Sequence, residues 1–151
     1  MIYISHRGNL TGKIKETENH PDTIDYALSL GYHCEIDVWY NDGWFLGHDQ
    51  ADHSIDFEYL RHPRFWIHAK NLNALHELSG TDLNYFWHQE DDYTLTSHRY
   101  IWAYPNKPVT KKCIAVMPEW KLNVSEITRL NVAGICSDII HQIFEEKTNA
   151  V

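Results

Sequence analysis

Three short clusters near the start of the chain combine residue types that suit cleavage of a phosphodiester bond. They are His6-Arg7-Gly8, the pair Glu35 and Asp37, and Gly47-His48-Asp49, and each lies at or just past the end of a short apolar run. Imidazoles can transfer protons, a guanidinium can hold a phosphate, and carboxylates can hold a divalent cation. The strands and loops that carry these side chains must therefore bring them together in the fold.

Composition limits the classes of protein to which the chain can belong. Its 151 residues are 43% hydrophobic and 13% aromatic, which is typical of a single globular domain over residues 1–151. The net charge of −8 disfavours non-specific binding to nucleic acid, because such binding depends on neutralising phosphates. The three cysteines form no CxxC pair, so neither a disulfide framework nor a thiolate zinc site is expected.

The distribution of apolar residues predicts where in the cell the protein is found. No apolar stretch approaches the roughly 18 residues of a membrane span, and the chain opens directly on an apolar strand pattern. We therefore expect no stable membrane insertion and a cytoplasmic protein that handles a small-molecule substrate. The sequence leaves the oligomeric state open.

Strand and helix signals alternate along much of the chain. Helices are predicted from Pro21 to Gly31, over one or two turns at 56–61, over 72–80 and over 124–130, and residues 44–48 return as a short hairpin strand. Eight further segments read as strands: 2–5, 34–40, 65–70, 85–88, 93–96, 100–104, 113–117 and 133–138. This pattern predicts an α/β fold, a reduced (β/α)₈ TIM-type barrel. Because such barrels typically need about 250 residues, several outer helices must be missing, chiefly over 81–118.

The second predicted strand places two carboxylates on one face. Successive strand side chains alternate, so Glu35 and Asp37 point away from Cys34, Ile36 and Val38. Burying two carboxylates is costly unless they are paired or bind a metal, although a solvated strand face would also explain them. Ligation by oxygen alone would favour Mg²⁺ or Ca²⁺.

Taken together, these motifs resemble the glycerophosphodiester phosphodiesterase family, within the phospholipase-C-like phosphodiesterases. The matching segments, in order, are His6-Arg7-Gly8, Glu18-Asn19, Glu35-Ile36-Asp37-Val38, Asp42-Gly43 and Gly47-His48-Asp49. Weaker similarity continues at 67–70 and 134–138. The resemblance is therefore specific over residues 2–49 and looser over the rest of the chain.

The resemblance implies a role for each matched residue. His6 and His48 would form the acid/base pair, and Arg7 and Lys70 would bind phosphate. Glu35 and Asp37 would ligate a divalent metal, with Glu18 and Asn19 supporting the site. The implied reaction is metal-dependent hydrolysis of a glycerophosphodiester-like substrate.

Two departures from the family pattern affect this interpretation. His68 stands where the family has its third metal carboxylate, so His68, Glu18 or Glu119 would complete the ligand set. The family's long insertion after the His48 position is also missing, which predicts a more open pocket. A degenerate barrel that binds a phosphate-containing ligand, and a lyase or phosphotransferase acting on lipid head groups, are the alternatives.

Overall fold

Ten strands form one mixed sheet in the computed structural model, which describes residues 1–150. In chain order the strands are β1 (Ile2–His6), β2 (His33–Tyr40), β3 (Trp44–Leu46), β4 (His53–Ile55), β5 (Phe65–Ala69), β6 (Tyr85–Phe86), β7 (Tyr93–Leu95), β8 (Ile101–Ala103), β9 (Cys113–Val116) and β10 (Gly134–Ser137). The helices are α1 (Pro21–Ser29), α2 (Leu72–Ser79), α3 (Val124–Ile127) and α4 (Ile140–Asn149). Two 3₁₀ helices span Phe57–Arg61 and Pro118–Trp120. The mixed α/β class predicted from the sequence is confirmed.

Parallel pairing builds the body of the sheet. The parallel neighbours run in the order β6-β5-β2-β1-β10-β9-β8. The other three strands pair antiparallel: β3 with the last residues of β2, β4 with β3, and β7 with β8 at one end of the array. Parallel strands of this kind are usually covered on both faces. Because these strands are parallel, the side chains at their carboxyl ends lie at one edge of the sheet.

The two faces of the parallel strands carry three apolar clusters, two on the outer face and one on the inner face. On the outer face, Ile36 of β2 and Ile67 of β5 pack against Ile24 of α1 and Leu78 of α2. The inner face is largely aromatic and packs these side chains together: Ile4, Trp66, Phe86, Trp102, Ile114 and Cys136. Alternation along β2 therefore directs Glu35 and Asp37 to the inner face, as the sequence predicted.

The sheet curves toward closure but is not closed. The rings of Phe86 in β6 and Trp102 in β8 lie 4.6 Å apart, so the two ends of the parallel array meet through side chains. Within residues 1–150, no strand pairing joins β6 to β8. The predicted set of eight barrel strands is wrong at residues 93–96, because β7 pairs antiparallel with β8 and cannot serve as a parallel barrel strand.

Several other predicted helices and strands can be compared with the structure. Residues 81–117 contain four short strands and no α-helix, which confirms the predicted helix-poor segment. The predicted strand at 44–48 and helices at 21–31 and 72–80 also form, with slightly shorter bounds. The sequence reading missed β4 and α4; α4 buries only Ile140 and Ile143 within ten largely polar residues, which is a weak periodic signal.

None of the helices within residues 1–150 combines the length and apolar character needed to cross a bilayer.

The contact between the two ends of the sheet gives a stability prediction. Phe86 is 3% exposed and stacks on both Trp102 and His68. Phe86→Ala should lower the free energy of unfolding by about 3–5 kcal/mol, because it removes a buried ring and leaves a cavity. Chemical denaturation measures this loss. The neighbouring Trp87 is 36% exposed, so Trp87→Ala should cost clearly less; equal losses would contradict the packing role of Phe86.

Candidate functional site

Strand register brings the predicted site residues together. In the parallel pairs, His6 of β1 lies opposite Glu35 of β2, and Asp37 of β2 lies opposite His68 of β5. Lys70 directly follows β5. All of these side chains except the fully buried Asp37 border a cavity of about 460 Å³ at the carboxyl ends of the strands. The edge where the strands end is therefore also where the chemical groups converge.

Glu35, Asp37 and His68 form a compact cluster at the wall of this cavity. Their candidate ligand atoms all lie within 4.8 Å of one another. His68 Nδ1 is 3.1 Å from Asp37 Oδ1 and 3.7 Å from Glu35 Oε1. Glu35 and Asp37 are 2% and 0% exposed, so the sheet has removed both carboxylates from water. The group could hold a metal ion.

Two neighbours fix the ring of His68. Its Nε2 lies 2.8 Å from the carbonyl oxygen of His88, and the ring stacks on Phe86 at 5.0 Å with an interplanar angle of 15°. An Nε2–H that donates to this carbonyl leaves Nδ1 facing the two carboxylates. Burial alone would lower the pKa of His68, but the adjacent Asp37 and Glu35 carboxylates raise it to about 9. Cation binding must therefore displace a proton from this imidazole.

Cationic and amide groups surround the fully buried Asp37. Arg7 Nε lies 2.8 Å from Asp37 Oδ2, His48 Nδ1 lies 3.4 Å from the same oxygen, and Lys70 Nζ is 4.0 Å from Oδ1. Burial would raise the pKa of Asp37, but His48, His68 and Arg7 outweigh it and hold this pKa well below its usual range. Asp37 is therefore ionised in the folded chain.

Asn19 supports Asp37 from the loop before α1. Its side-chain amide donates to Asp37 Oδ2 at 2.8 Å, and its side-chain oxygen accepts from the Asp37 backbone N–H at 2.9 Å. The residue is fully buried, with a φ of 59°, a left-handed conformation that asparagine adopts more readily than most residues. Asn19 thus occupies the supporting position that the sequence resemblance implied.

Glu18 lies elsewhere than the resemblance implied. Its Oε2 accepts from Arg7 Nη1 at 2.9 Å, and its Oε1 lies 3.4 Å from the side-chain amide of Asn9. Glu18 as a further metal ligand stays a prediction, and in this structure the carboxylate holds Arg7. Arg7 is held by Glu18 and Asp37 together. Burial would lower the pKa of Arg7, but Asp37 and Glu35 raise it.

Asp138 is a site residue that the sequence reading left without a role. Its Oδ1 lies 2.8 Å from His6 Nδ1 and also accepts from the Asn9 side-chain amide at 2.8 Å. A proton on Nδ1 then leaves His6 Nε2 free on the cavity side, 3.8 Å from Glu35 Oε2. The signal was present in the Gly134–Asp138 similarity, but no spacing rule links residues 6 and 138.

Glu119 supports this arrangement rather than the metal cluster. Its Oε1 accepts from the Ser137 hydroxyl at 2.7 Å and from the Asp138 backbone N–H at 3.0 Å. Glu119 therefore orients the end of β10, and its role as a further metal ligand stays a prediction.

His48 reaches the site through the β2–β3 hairpin. Its side chain is 42% exposed at the rim of the cavity. The preceding Gly47 has a φ of 154°, and a Cβ there would clash with the carbonyl oxygen of Gln50. A larger residue cannot occupy this turn without moving the backbone. The turn therefore positions His48 beside Asp37.

The donor set fits a divalent cation. Glu35 Oε2 is buried and, within the part of the chain that the structure describes, accepts no hydrogen bond, and Asp37 Oδ1 faces the His68 ring. Metal bonds of about 2.1 Å at angles of 90° to 109° would separate neighbouring ligands by roughly 3.0 to 3.4 Å. The 3.1 and 3.7 Å separations from His68 Nδ1 are close to this range. Three protein ligands would leave coordination positions open toward the cavity.

Comparison with protein-family models, with curated proteins and with solved structures finds no significant match for this chain. The motifs of the chain and the geometry of the site are therefore what indicate its function.

The contact between Asp138 and His6 makes stability depend on pH. Burial would raise the pKa of Asp138, but His6 and Asn9 lower it below 3.8. A lowered carboxyl pKa stabilises the fold above the unfolded value and loses that contribution as pH falls through the folded value. Asp138→Asn should therefore cost about 1–2 kcal/mol at pH 5, and the difference from wild type should shrink below pH 3.8.

Urea denaturation of both proteins at a series of pH values between 5 and 3 tests this dependence. The exposed Asp91 is a matched control, since Asp91→Asn should change stability by no more than about 0.5 kcal/mol. A cost for Asp138→Asn that stays constant down to pH 3 would show that the pairing with His6 does not carry the effect.

Proposed function

We propose that this chain is a metal-dependent phosphodiester hydrolase that acts on a glycerophosphodiester-like small molecule. One observation carries the proposal. The two histidines and two cationic residues singled out from the sequence border the same cavity as the Glu35, Asp37 and His68 cluster. General acid, general base, phosphate ligands and a candidate cation site are thus within reach of one substrate.

The fold supports the same proposal. We interpret the seven parallel strands as a reduced (β/α)₈-type barrel in which the pairing between β6 and β8 is missing. Barrels of this type place their catalytic residues at the carboxyl ends of the strands. The candidate residues occupy that end, and the apolar inner face packs behind them.

The acid/base roles follow from what holds each histidine. Asp138 on Nδ1 favours His6 as the base, because Nε2 can then accept a proton from the nucleophile. His48 lies at the exposed rim, where it can protonate the departing alkoxide and exchange protons with solvent. If the substrate carries a neighbouring hydroxyl, that hydroxyl can act as the nucleophile, and the two histidines then exchange roles in a second step.

Stabilisation of the phosphate charge is assigned to Arg7, Lys70 and the candidate cation. Arg7 uses two of its nitrogens on Asp37 and Glu18, and its remaining N–H donors can bind phosphoryl oxygens. Lys70 adds a second positive charge. A divalent cation held by Glu35, Asp37 and His68 would further neutralise the phosphoryl oxygens. Mg²⁺ and Ca²⁺ are the ions expected from the sequence.

One observation favours a second candidate, a protein that binds a phosphate-containing ligand without turning it over. Two carboxylates already hold Arg7, and an imidazole replaces the family's third metal carboxylate. The carboxylates offset the positive charge of Arg7, and the imidazole attracts a hard cation less strongly than a carboxylate would, so both features reduce the positive charge available to the phosphoryl oxygens. A lyase or phosphotransferase acting on lipid head groups would use the same residues, and it differs in yielding a cyclic or transferred phosphate product.

An assay on glycerophosphocholine tests these candidates. Purified protein is treated with chelator, and product is then measured after addition of Mg²⁺, Ca²⁺, Mn²⁺ or no metal. Metal-dependent release of choline or glycerol phosphate supports the hydrolase, and a cyclic phosphate product supports the lyase. Saturable binding of the diester without product supports the binding protein.

The catalytic assignment predicts the kinetics of four variants. His6→Ala and His48→Ala should each lower turnover by about 10²–10⁴-fold, as expected for a positioned acid or base. The double variant should lose much less than the product of the single losses, because the two act as a unit. Arg7→Lys should also be damaging, since an ammonium cannot reproduce the guanidinium fork.

The exposed His76 on α2 provides a control for these kinetics, and His76→Ala should retain turnover. Circular dichroism should show every variant folded before its rate is compared. Near-normal turnover of a well-folded His48→Ala protein would exclude His48 as a catalytic residue.

The cation site predicts a thermal shift. The melting temperature of the wild-type protein should rise with divalent cation, because only the folded chain holds the three ligands together. Replacing the carboxylates in Glu35→Gln/Asp37→Asn should abolish that rise while leaving the side-chain volumes almost unchanged. An unchanged rise in the double variant would show that the cation binds elsewhere.

A further inference from the structure

We infer that the cation site of this chain selects a borderline transition ion of the Zn²⁺ and Fe²⁺ class over Mg²⁺ and Ca²⁺. The inference deepens the proposed function by naming the ion at its site. It starts from the departure at His68, which places an imidazole nitrogen among the ligands. Imidazole suits Zn²⁺ and similar ions, whereas Mg²⁺ and Ca²⁺ prefer oxygen.

The imidazole is held as metal-binding histidines usually are. Most such rings donate their second N–H to a carbonyl or carboxylate, which fixes the tautomer and the ring orientation. His68 Nε2 has the carbonyl oxygen of His88 at 2.8 Å, and stacking on Phe86 limits rotation of the ring. Nδ1 is thereby held toward both carboxylates without further rearrangement.

The neighbouring carboxylates cannot readily replace this nitrogen with a third oxygen. Glu18 is engaged by Arg7, and Asp138 by His6 and Asn9. Glu119 directs Oε1 to Ser137 and to the backbone of residue 138, and its buried Oε2, without a hydrogen-bond partner within residues 1–150, lies outside the group of candidate ligand atoms. The cluster therefore offers two carboxylates, whereas Ca²⁺ takes six to eight oxygen ligands.

Charge around the cluster points the same way. The two carboxylates of Glu35 and Asp37 face two cations, since Arg7 and Lys70 lie 2.8 and 4.0 Å from Asp37. Hard cations bind largely through net negative charge, which this pairing offsets. This offset of negative charge should therefore weaken the binding of Mg²⁺ and Ca²⁺ more than that of an ion that also forms a bond to the neutral Nδ1 of His68.

Pulsed electron paramagnetic resonance of the Mn²⁺-loaded full chain tests the inference without substrate. Wild-type protein should show the nitrogen coupling of a directly coordinated imidazole. His68→Glu restores an all-oxygen ligand set, so this coupling should disappear in that variant. His76→Gln changes an exposed histidine far along α2 and should retain the coupling.

Calorimetric titration with Mn²⁺, Zn²⁺, Mg²⁺ and Ca²⁺ supplies the selectivity. The ratio of Zn²⁺ to Mg²⁺ affinity should fall by at least about tenfold from wild type to His68→Glu, the size typical of altered ligand support. Comparing the ratio cancels any general loss of stability in the variant. A ratio unchanged by His68→Glu, or wild-type protein without nitrogen coupling, would overturn the inference.

These results are separable from those for the proposed function. Nitrogen-coordinated Mn²⁺ in a protein that cleaves no phosphodiester would retain the ion assignment and remove the hydrolase. Metal-dependent cleavage supported best by Mg²⁺, with no nitrogen coupling in the Mn²⁺ protein, would retain the hydrolase and remove the ion assignment.

Discussion

The burial of one charge, the carboxylate of Asp37, is the constraint on which the rest of the site depends. An ionised carboxylate without exposure to water is tolerated only when it is paired and hydrogen-bonded. Arg7, His68 and Asn19 meet that requirement from three different segments. The ends of β1 and β5 and the loop before α1 are therefore held around β2 by the same group that would bind a cation.

The same constraint links stability to function. Removing a single partner of a buried ion pair leaves an uncompensated charge, which is costly even where the pair as a whole adds little stability. A bound cation would draw Asp37 partly away from Arg7 and Lys70 and would free their positive charge for a phosphate. A bound cation would thus make the site more positive toward the cavity than it is without one.

The apolar inner face makes these interactions strong. Trp66, Phe86 and Trp102 pack beneath the cluster and exclude water from that side. In such surroundings a charge or a hydrogen bond has a larger effect than at an exposed surface. The missing pairing between β6 and β8 lies where Phe86 also stacks on His68. The contact between the two ends of the sheet and the orientation of the His68 ring therefore both depend on Phe86.

The sequence by itself determined the local features of this protein. Alternation placed Glu35 and Asp37 on one face of β2, and turn chemistry predicted the hairpin before His48, because both depend on neighbours in the chain. Only the tertiary structure decided the partners. Asp138 reaches His6 across 132 positions, Glu18 turns to Arg7, and β7 runs antiparallel. Strand register and competition among buried charges settle these contacts, and neither is encoded in local spacing.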